Sequence, residues 1–144
     1  MPKIIYVGLD IDATVITHCY PHMNGDDIGA IPWLLSIQKD FPIEYLINSM
    51  RGGKTATDAK EWLEERGVKI GGINTHPTQH TWTTSTKTHC HVYLDDRGAA
   101  TPLRPDMAID WAKFGPLAYS CVKRWHEYYE AHGANATGPV KKKV

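Results

Sequence analysis

The sequence predicts a single α/β domain in which a doubly wound parallel β-sheet forms the middle of three layers. Three observations support this fold class. Short apolar runs alternate with longer amphipathic segments, which is typical of parallel strands joined by crossover helices. The chain has 144 residues, a length that fits one domain. Neither an internal repeat nor a composition break marks a second unit. We expect the domain over residues 1–133, followed by a disordered basic tail over residues 134–144.

The first half of the chain begins with a strand, a helix and a second strand. Residues 4–9 form a β-branched run that suits a buried central strand. Residues 28–39 place apolar side chains near helical spacing, and Asp26 or Asp27 is available as the N-cap. Residues 43–47 are the second apolar run.

The middle of the chain continues the alternation. A start resembling a capping box at residues 55–58 predicts a helix that ends near Gly67. Residues 68–73 are a third strand candidate, weakened by two adjacent glycines. Residues 74–88 are polar, rich in threonine and histidine and without a period, which predicts a loop.

The last third of the chain supplies a fourth strand at residues 91–94 and a final helix. Pro116 is a favourable first residue for that helix, and Gly133 is a favourable stop. The helix would present one apolar stripe, formed by Leu117, Cys121, Trp125 and Tyr128.

Composition excludes several classes of protein. Sixteen basic residues balance sixteen acidic ones, so net charge gives no reason to expect a nucleic-acid partner. The N-terminal apolar run is too short for a membrane span or a signal peptide. Cys19, Cys90 and Cys121 are widely spaced and odd in number, which fits a reducing compartment. We therefore expect a cytoplasmic protein without a membrane partner.

Acidic side chains follow two of the predicted strands. Asp10 and Asp12 come directly after the first strand, and Asp95 and Asp96 follow the fourth. Ligands of such sheets bind beyond the carboxyl ends of the strands, so these four acids could share one crevice. Carboxylates held so close repel each other unless a hard cation joins them. Oxygen ligands without a nearby cysteine suit Mg²⁺.

A hydroxyl group and an ammonium group accompany this acidic set. Ser49 ends the second strand, and Lys87 lies shortly before the fourth. A cation site facing these two groups is a phosphate-binding arrangement. Asp10 could attack phosphorus to form an aspartyl-phosphate, and Asp12 is placed to act as the general acid and base.

These residues, in this order, resemble the motifs of the haloacid dehalogenase superfamily. The sequence Leu-Asp-Ile-Asp-Ala-Thr-Val at residues 9–15 is similar to its first motif, an apolar strand followed by two aspartates. Ser49, Lys87 and the pair Asp95-Asp96 are similar to the second, third and fourth motifs. The resemblance covers residues 3–97. It implies a Rossmann-like hydrolase fold and a magnesium-dependent phosphatase that acts on a phosphorylated substrate.

The resemblance also implies a role for each matching residue. Asp10 would be the nucleophile and a magnesium ligand. Asp12 would be the general acid and base and would lend its backbone carbonyl to the metal. Asp95, with Asp96 through water, would complete the cation site. Lys87 would bind phosphate, although two other cations, Lys69 and Arg51, are alternatives.

One departure from the family pattern concerns the loop after the first strand. Ala13 stands where glycine is common. An alanine there is strained if the position requires a positive φ.

The spacing between motifs leaves no room for a large cap domain. Residues 17–25 can form at most a short flap, in which His18 and His22 are candidate substrate contacts, as is Arg51 after the second strand. An open site suits a bulky substrate or a homo-oligomer in which a neighbour supplies the lid.

Four alternatives remain open at this point. The chain could be a metal-binding or phosphate-binding regulatory module without turnover. Gly53-Lys54-Thr55 partly matches a phosphate-binding P-loop but lacks its first glycine. Eight histidines invite a zinc site, although no ligand spacing completes one. A phosphoacceptor receiver domain shares the acids, the hydroxyl and the lysine. It places its acidic pair near the N-terminus and its acceptor on a later strand, which is the reverse of the order in this sequence.

Overall fold

The structure is a computed structural model that describes residues 3–133, so the predicted basic tail lies outside the described residues. Four strands and three α-helices follow one another along the chain. They are β1 (Ile5–Leu9), α1 (Ala30–Asp40), β2 (Ile43–Ile47), α2 (Gly53–Glu64), β3 (Ile70–Ile73), β4 (Val92–Leu94) and α3 (Trp111–His132). One short 3₁₀ turn, Gln79–Thr81, lies between β3 and β4.

The four strands form one parallel sheet in the order β3-β2-β1-β4. The central strand β1 pairs with β2 on one side and with β4 on the other, so Leu9 lies opposite both Ile47 and Leu94. The carboxyl ends of β1, β2 and β4 therefore meet at one edge of the sheet.

The main core lies on the helical face of the sheet. The alternating residues Ile5, Val7 and Leu9 of β1 are fully buried there. They belong to one apolar cluster that includes Leu34 of α1 and Val122 of α3. Burial of these branched side chains supplies the main favourable term for folding.

The opposite face of the sheet is covered by the chain between β3 and β4. The ring of Tyr6 in β1 lies 4.1 Å from that of His76, and a Cβ at Gly8 would meet the Cys90 sulfur at 3.0 Å. The predicted single-domain, three-layer α/β architecture is confirmed. Its third layer is irregular chain with one 3₁₀ turn, in agreement with the loop predicted over residues 74–88.

The first helix begins later than the sequence suggested. Gly29, with φ of 90°, is its N-cap, and no side chain caps it. The Asp27 carboxylate instead accepts a hydrogen bond from the Gly29 N–H at 2.8 Å. The prediction that Asp26 or Asp27 caps α1 was wrong, because Asp27 closes a turn that ends where the helix starts.

The second helix begins earlier than predicted, at Gly53. Thr55 lies inside its first turn and donates its hydroxyl proton to the Gly52 carbonyl at 2.8 Å, so it does not cap the helix. Strand β3 begins at Ile70, and its register against β2 shifts within the strand, because Tyr45 pairs with Ile70 and Leu46 with Gly72.

The last helix also begins earlier than predicted. Its N-cap is Asp110, whose carboxylate accepts a hydrogen bond from the Lys113 N–H at 3.4 Å, and Pro116 lies inside the helix. The predicted stripe was partly wrong, because Leu117 is 55% exposed. The buried side is formed by Trp111, Gly115, Ala118, Val122 and Tyr129. The predicted stop at Gly133 is confirmed.

No domain is inserted between the strands and helices of residues 3–133. The segments before α1 and before β4 are loops without an α-helix of their own. Across the same residues, no helix is both long and apolar enough to cross a membrane.

Candidate functional site

Three carboxylates meet at the carboxyl edge of the sheet. Asp10 directly follows β1, and Asp95 and Asp96 directly follow β4. Because Leu9 pairs with Leu94, the two strands deliver these acids side by side. One oxygen atom from each of the three carboxylates lies within 4.8 Å of the others.

Thr14 holds the acidic segments together. Its buried hydroxyl lies 2.9 Å from the Asp10 Oδ2, to which it donates, and it accepts the Asp96 N–H at 3.1 Å. Its backbone carbonyl accepts a hydrogen bond from the Trp111 indole at 2.7 Å. Helix α3, which begins with Trp111, thus fixes the residue that joins the ends of β1 and β4.

The electrostatics of the three acids favour a bound cation. Burial, the hydrogen bond with Asp96 and the charge of Asp95 together raise the pKa of Asp10 to about 8. Burial and the neighbouring Asp96 also raise the pKa of Asp95. A cation placed between the oxygens would remove this repulsion. The donors are all carboxylate oxygens, so they fit Mg²⁺, which Asp10, Asp95 and Asp96 would hold.

Asp12 differs from the other three acids because its carboxylate is already paired. The Arg51 Nη2 lies 2.7 Å from its Oδ1, and the Arg51 Nε lies 2.8 Å from its Oδ2. Burial alone would raise the pKa of Asp12, but the hydrogen bonds and the charge of Arg51 outweigh burial and lower it. The Asp12 carboxylate, predicted as a metal ligand, therefore does not belong to the cluster of three converging carboxylates.

Arg51 is the most heavily engaged side chain of the site. Only 1% of its surface is exposed. Besides Asp12, its guanidinium donates to the backbone carbonyls of His22 at 2.7 Å, Pro21 at 3.3 Å and Thr55 at 3.3 Å. This arginine therefore links Asp12 to the flap after β1 and to helix α2.

The turn after β2 is shaped by Asn74, which follows β3. The Asn74 amide oxygen accepts the Ser49 N–H at 2.9 Å, and its nitrogen donates to the Arg51 carbonyl at 3.2 Å. The Ser49 hydroxyl accepts the Arg51 N–H at 3.0 Å. These bonds hold Ser49 and Arg51 at the same end of the sheet as the acids.

These side chains surround an open cavity of about 560 Å³. Seven predicted site residues belong to its lining, namely Asp10, Asp12, His18, Ser49, Arg51, Asp95 and Asp96. The lining also includes Ala13, Tyr20, Met50 and Arg97.

Two predicted site residues do not line this cavity. The Lys87 ammonium lies 5.5 Å from the ring centroid of Tyr93, in the layer that covers the other face of the sheet. His22 contributes its backbone carbonyl to Arg51, while its ring lies outside the lining. Of the alternatives to Lys87, Lys69 precedes β3 and so lies at the opposite edge, whereas Arg51 is in the cavity and is bound to Asp12.

Sequence reasoning missed several residues of the site. Thr14 stands two positions after Asp12, and Arg97 directly follows Asp96, so position along the motifs could have indicated both. Tyr20 and Met50 carry no such signal. Ala13 adopts a φ of 62°, so the alanine does occupy the conformation that glycine tolerates best.

Comparison with known proteins supports the fold alone. No protein-family model and no curated protein matches the chain. The chain is similar to the solved structure of a conserved protein from Bacteroides thetaiotaomicron, with 22% sequence identity and a TM-score of 0.67. The match covers 91% of this chain and 99% of that one.

Proposed function

We propose that this protein is a magnesium-dependent phosphomonoester hydrolase of the haloacid dehalogenase type. The observation that carries the proposal is the convergence of Asp10, Asp95 and Asp96 within 4.8 Å at the carboxyl edge of a parallel sheet. Three converging acids, next to a serine and two basic side chains, suit a cation and a phosphate group together. The order of these residues along the chain is the order of the family's motifs.

Asp10 is the nucleophile in this proposal. Its carboxylate attacks phosphorus, the ester oxygen leaves, and the aspartyl-phosphate is then hydrolysed by water. The Mg²⁺ ion would neutralise charge on the transferring phosphoryl group and allow Asp10 to react as the anion. Thr14 orients the Asp10 carboxylate through the hydrogen bond to Oδ2.

Asp12 and the basic side chains complete the site. Asp12 exchanges protons with the leaving oxygen and with the attacking water, and Arg51 fixes its orientation. Ser49 donates its hydroxyl proton to the phosphoryl group. Arg97 and His18 line the cavity and provide donors for phosphate oxygens, with Lys87 as a further candidate beyond the lining.

The first test is hydrolysis of a generic aryl phosphate with and without Mg²⁺. We expect turnover that depends on the metal and that Asp10→Asn reduces by at least about a thousandfold, because the nucleophile and a ligand are lost together. Asp106→Asn is the matched control, because Asp106 is exposed and pairs with Arg104. Equal activity of the Asp10 and Asp106 variants would exclude the assigned role of Asp10.

One observation favours a second candidate, a metal-binding module without turnover. Both carboxylate oxygens of Asp12 are bound by Arg51, which lowers the pKa of Asp12 and so opposes the protonated form that a general acid needs. Such a module would be stabilised by Mg²⁺ in thermal unfolding and would hydrolyse nothing across a panel of phosphorylated metabolites. Hydrolysis of any member of that panel, lost in Asp10→Asn, decides for the enzyme.

The proposed setting is the cytoplasm. Cys19, Cys90 and Cys121 are all free thiols, which suits a reducing compartment. The proposed partner is a phosphorylated substrate, and the open cavity also suits a homo-oligomer in which a neighbouring subunit covers the site.

A further inference from the structure

Two large apolar side chains stand exposed at the rim of the cavity. Met50 is 100% exposed and Tyr20 is 55% exposed, and both belong to the lining. Exposure of a thioether and an aromatic ring has a cost in water that a ligand would remove. Tyr20 lies on the flap after β1 and Met50 on the turn after β2, and both line the same cavity.

The position of Tyr20 is fixed by the residue that also fixes Asp12. The Arg51 guanidinium lies 5.5 Å from the centroid of the Tyr20 ring, a cation–π contact. The same guanidinium binds the carbonyls of Pro21 and His22, the two residues that follow Tyr20. The ring is therefore held from one side and open to solvent on its other side.

The two groups of lining residues differ in burial. The carboxylates and Ser49, where the phosphoryl group would bind, are half-buried, whereas Tyr20 and Met50 are exposed. At about 560 Å³ the cavity is larger than a phosphate group requires and falls within the size of small-molecule sites. The remainder of the substrate, bonded to the leaving oxygen, must extend toward Tyr20 and Met50.

We propose that the site selects phosphomonoesters whose alcohol carries a flat heteroaromatic ring, as a nucleoside monophosphate does. A ring of this kind stacks on the open face of Tyr20 and contacts the flexible, polarisable Met50 side chain. This inference names the substrate class and rests on the proposed function.

The kinetic test compares adenosine 5′-monophosphate with ribose 5-phosphate, which shares the phosphate and sugar and lacks the base. We expect kcat/KM to be at least about tenfold higher for the nucleotide, the effect of stacking one base on one aromatic side chain. Tyr20→Ala should bring the ratio of the two kcat/KM values close to one, and Tyr20→Phe should preserve it. Equal kcat/KM for the two substrates overturns the inference while leaving phosphatase activity established.

A binding test separates this inference from the proposed function. Non-hydrolysable phosphonate analogues of the same two compounds are titrated in Mg²⁺ by calorimetry, which requires no turnover. Tighter binding of the nucleotide analogue, lost in Tyr20→Ala, supports the inference even if no ester is hydrolysed. Equal affinities, or a preference that survives in Tyr20→Ala, overturn it.

Trp82→Ala is the matched control for both experiments. Trp82 is 62% exposed, comparable to Tyr20, but it packs edge-on against His89 and does not line the cavity. We expect this variant to keep the wild-type ratio in both tests. A ratio that falls as much in Trp82→Ala as in Tyr20→Ala also overturns the inference, because the preference would then not arise at the cavity rim.

Discussion

Two clusters of titratable side chains lie on this sheet, and only one of them has the character of a binding site. The acidic cluster consists of Asp10, Asp95 and Asp96 at the carboxyl edge. The histidine cluster consists of His76, His89 and His91 on the face that the chain between β3 and β4 covers. Both are gatherings of like groups, and burial is the main cause of the pKa shifts in both.

The difference lies in what the ligand atoms contact. His91 accepts the Tyr6 N–H at its Nδ1 and lies 3.0 Å from the Tyr129 hydroxyl at its Nε2, while the His76 Nδ1 accepts the Thr78 N–H. The His89 ring contacts the rings of His76 and His91, each at a centroid distance of 5.3 Å. Lowered pKa values keep these histidines neutral, the form in which they pack.

The acidic cluster has the opposite arrangement. Its oxygens converge, and the pKa values of Asp10 and Asp95 stay raised despite the hydrogen bonds from the Thr14 hydroxyl and the Arg97 N–H. The comparison teaches that a shifted pKa does not by itself mark a site. A site is indicated where ligand atoms converge without partners that compensate their charge.

Arg51→Met should produce the largest loss of stability, because it removes the ion-pair partner of Asp12. Removing one partner of a buried ion pair costs about 3–5 kcal/mol. We expect the free energy of unfolding in urea to fall by that amount. Arg97→Met is the control, since Arg97 is exposed, and its effect should stay within about 0.5 kcal/mol. Similar losses in the two variants would contradict the structural role of Arg51.

Magnesium binding should be coupled to proton release at Asp10. The pKa of Asp10 is about 8 without metal, so at pH 7 the metal must displace close to one proton. We expect the apparent affinity to rise by up to about tenfold per pH unit below pH 8, and calorimetry in buffers of different ionisation enthalpy to count the proton. An affinity that does not vary between pH 6 and pH 8 would argue against Asp10 as a ligand.

The raised pKa of Asp10 also determines whether the stability of the protein rises or falls with pH. The folded-state pKa of Asp10 lies above the unfolded value, so its contribution is fully present below the unfolded pKa of about 3.9 and is lost as pH rises through about 8. Metal-free protein should therefore lose stability across this window, and Mg²⁺ should restore it. Asp10→Asn should remove this component, whereas Asp106→Asn should keep it.

His91→Phe should disturb the histidine cluster by a smaller amount. The Tyr6 N–H and the Tyr129 hydroxyl lose their partner, at a cost of about 1–3 kcal/mol in unfolding free energy. Burial lowers the pKa of His91 to about 4, so its contribution is present above the unfolded value of about 6.5 and is lost as pH falls toward 4. The variant should not show this loss of stability as the pH falls. The exposed His80, changed to Phe, is the control and should match wild type.

Ala13→Gly should have the smallest effect, and it should be stabilising. The residue has a φ of 62°, which costs an alanine about 1 kcal/mol relative to glycine. We expect the urea midpoint to increase by the corresponding amount. No change, or a loss of stability, would mean that the flexibility which glycine gives the unfolded chain offsets the relief of strain.

Much of the fold and the core of the acidic site were predictable from local patterns. The β-branched runs indicated the strands, and the acids at their ends indicated where a site would lie, because parallel strands share one carboxyl edge. The helix starts were less predictable. Helix α1 starts later than predicted because Asp27 closes a turn and Gly29 adopts a left-handed conformation. Helix α3 starts earlier than predicted because Pro116, a residue type that favours the first position of a helix, lies inside it.

The remaining site features depend on long-range contacts that leave no local pattern. Arg51 and Asp12 are 39 residues apart, and neither neighbourhood indicates that they pair. Lys87 lies in a segment without a hydrophobic period, so its path over Tyr93 could not be read from spacing. The exposure of Met50 and Tyr20 follows from the path of two turns, which sequence patterns describe poorly.

The hydrogen bonds of Thr14 to Asp10 and Asp96 have a consequence for when the candidate site forms during synthesis. Thr14 and Asp96 are 82 residues apart, and the strands that carry the acids are the first and the last of the sheet. A growing chain can pair β1 with β2 while the ribosome is still adding residues, but β4 can join only after residue 94 has been translated. A chain that lacks β4 therefore presents Asp10 without Asp95 and Asp96, and the proposed cation site exists only in molecules that have completed the sheet.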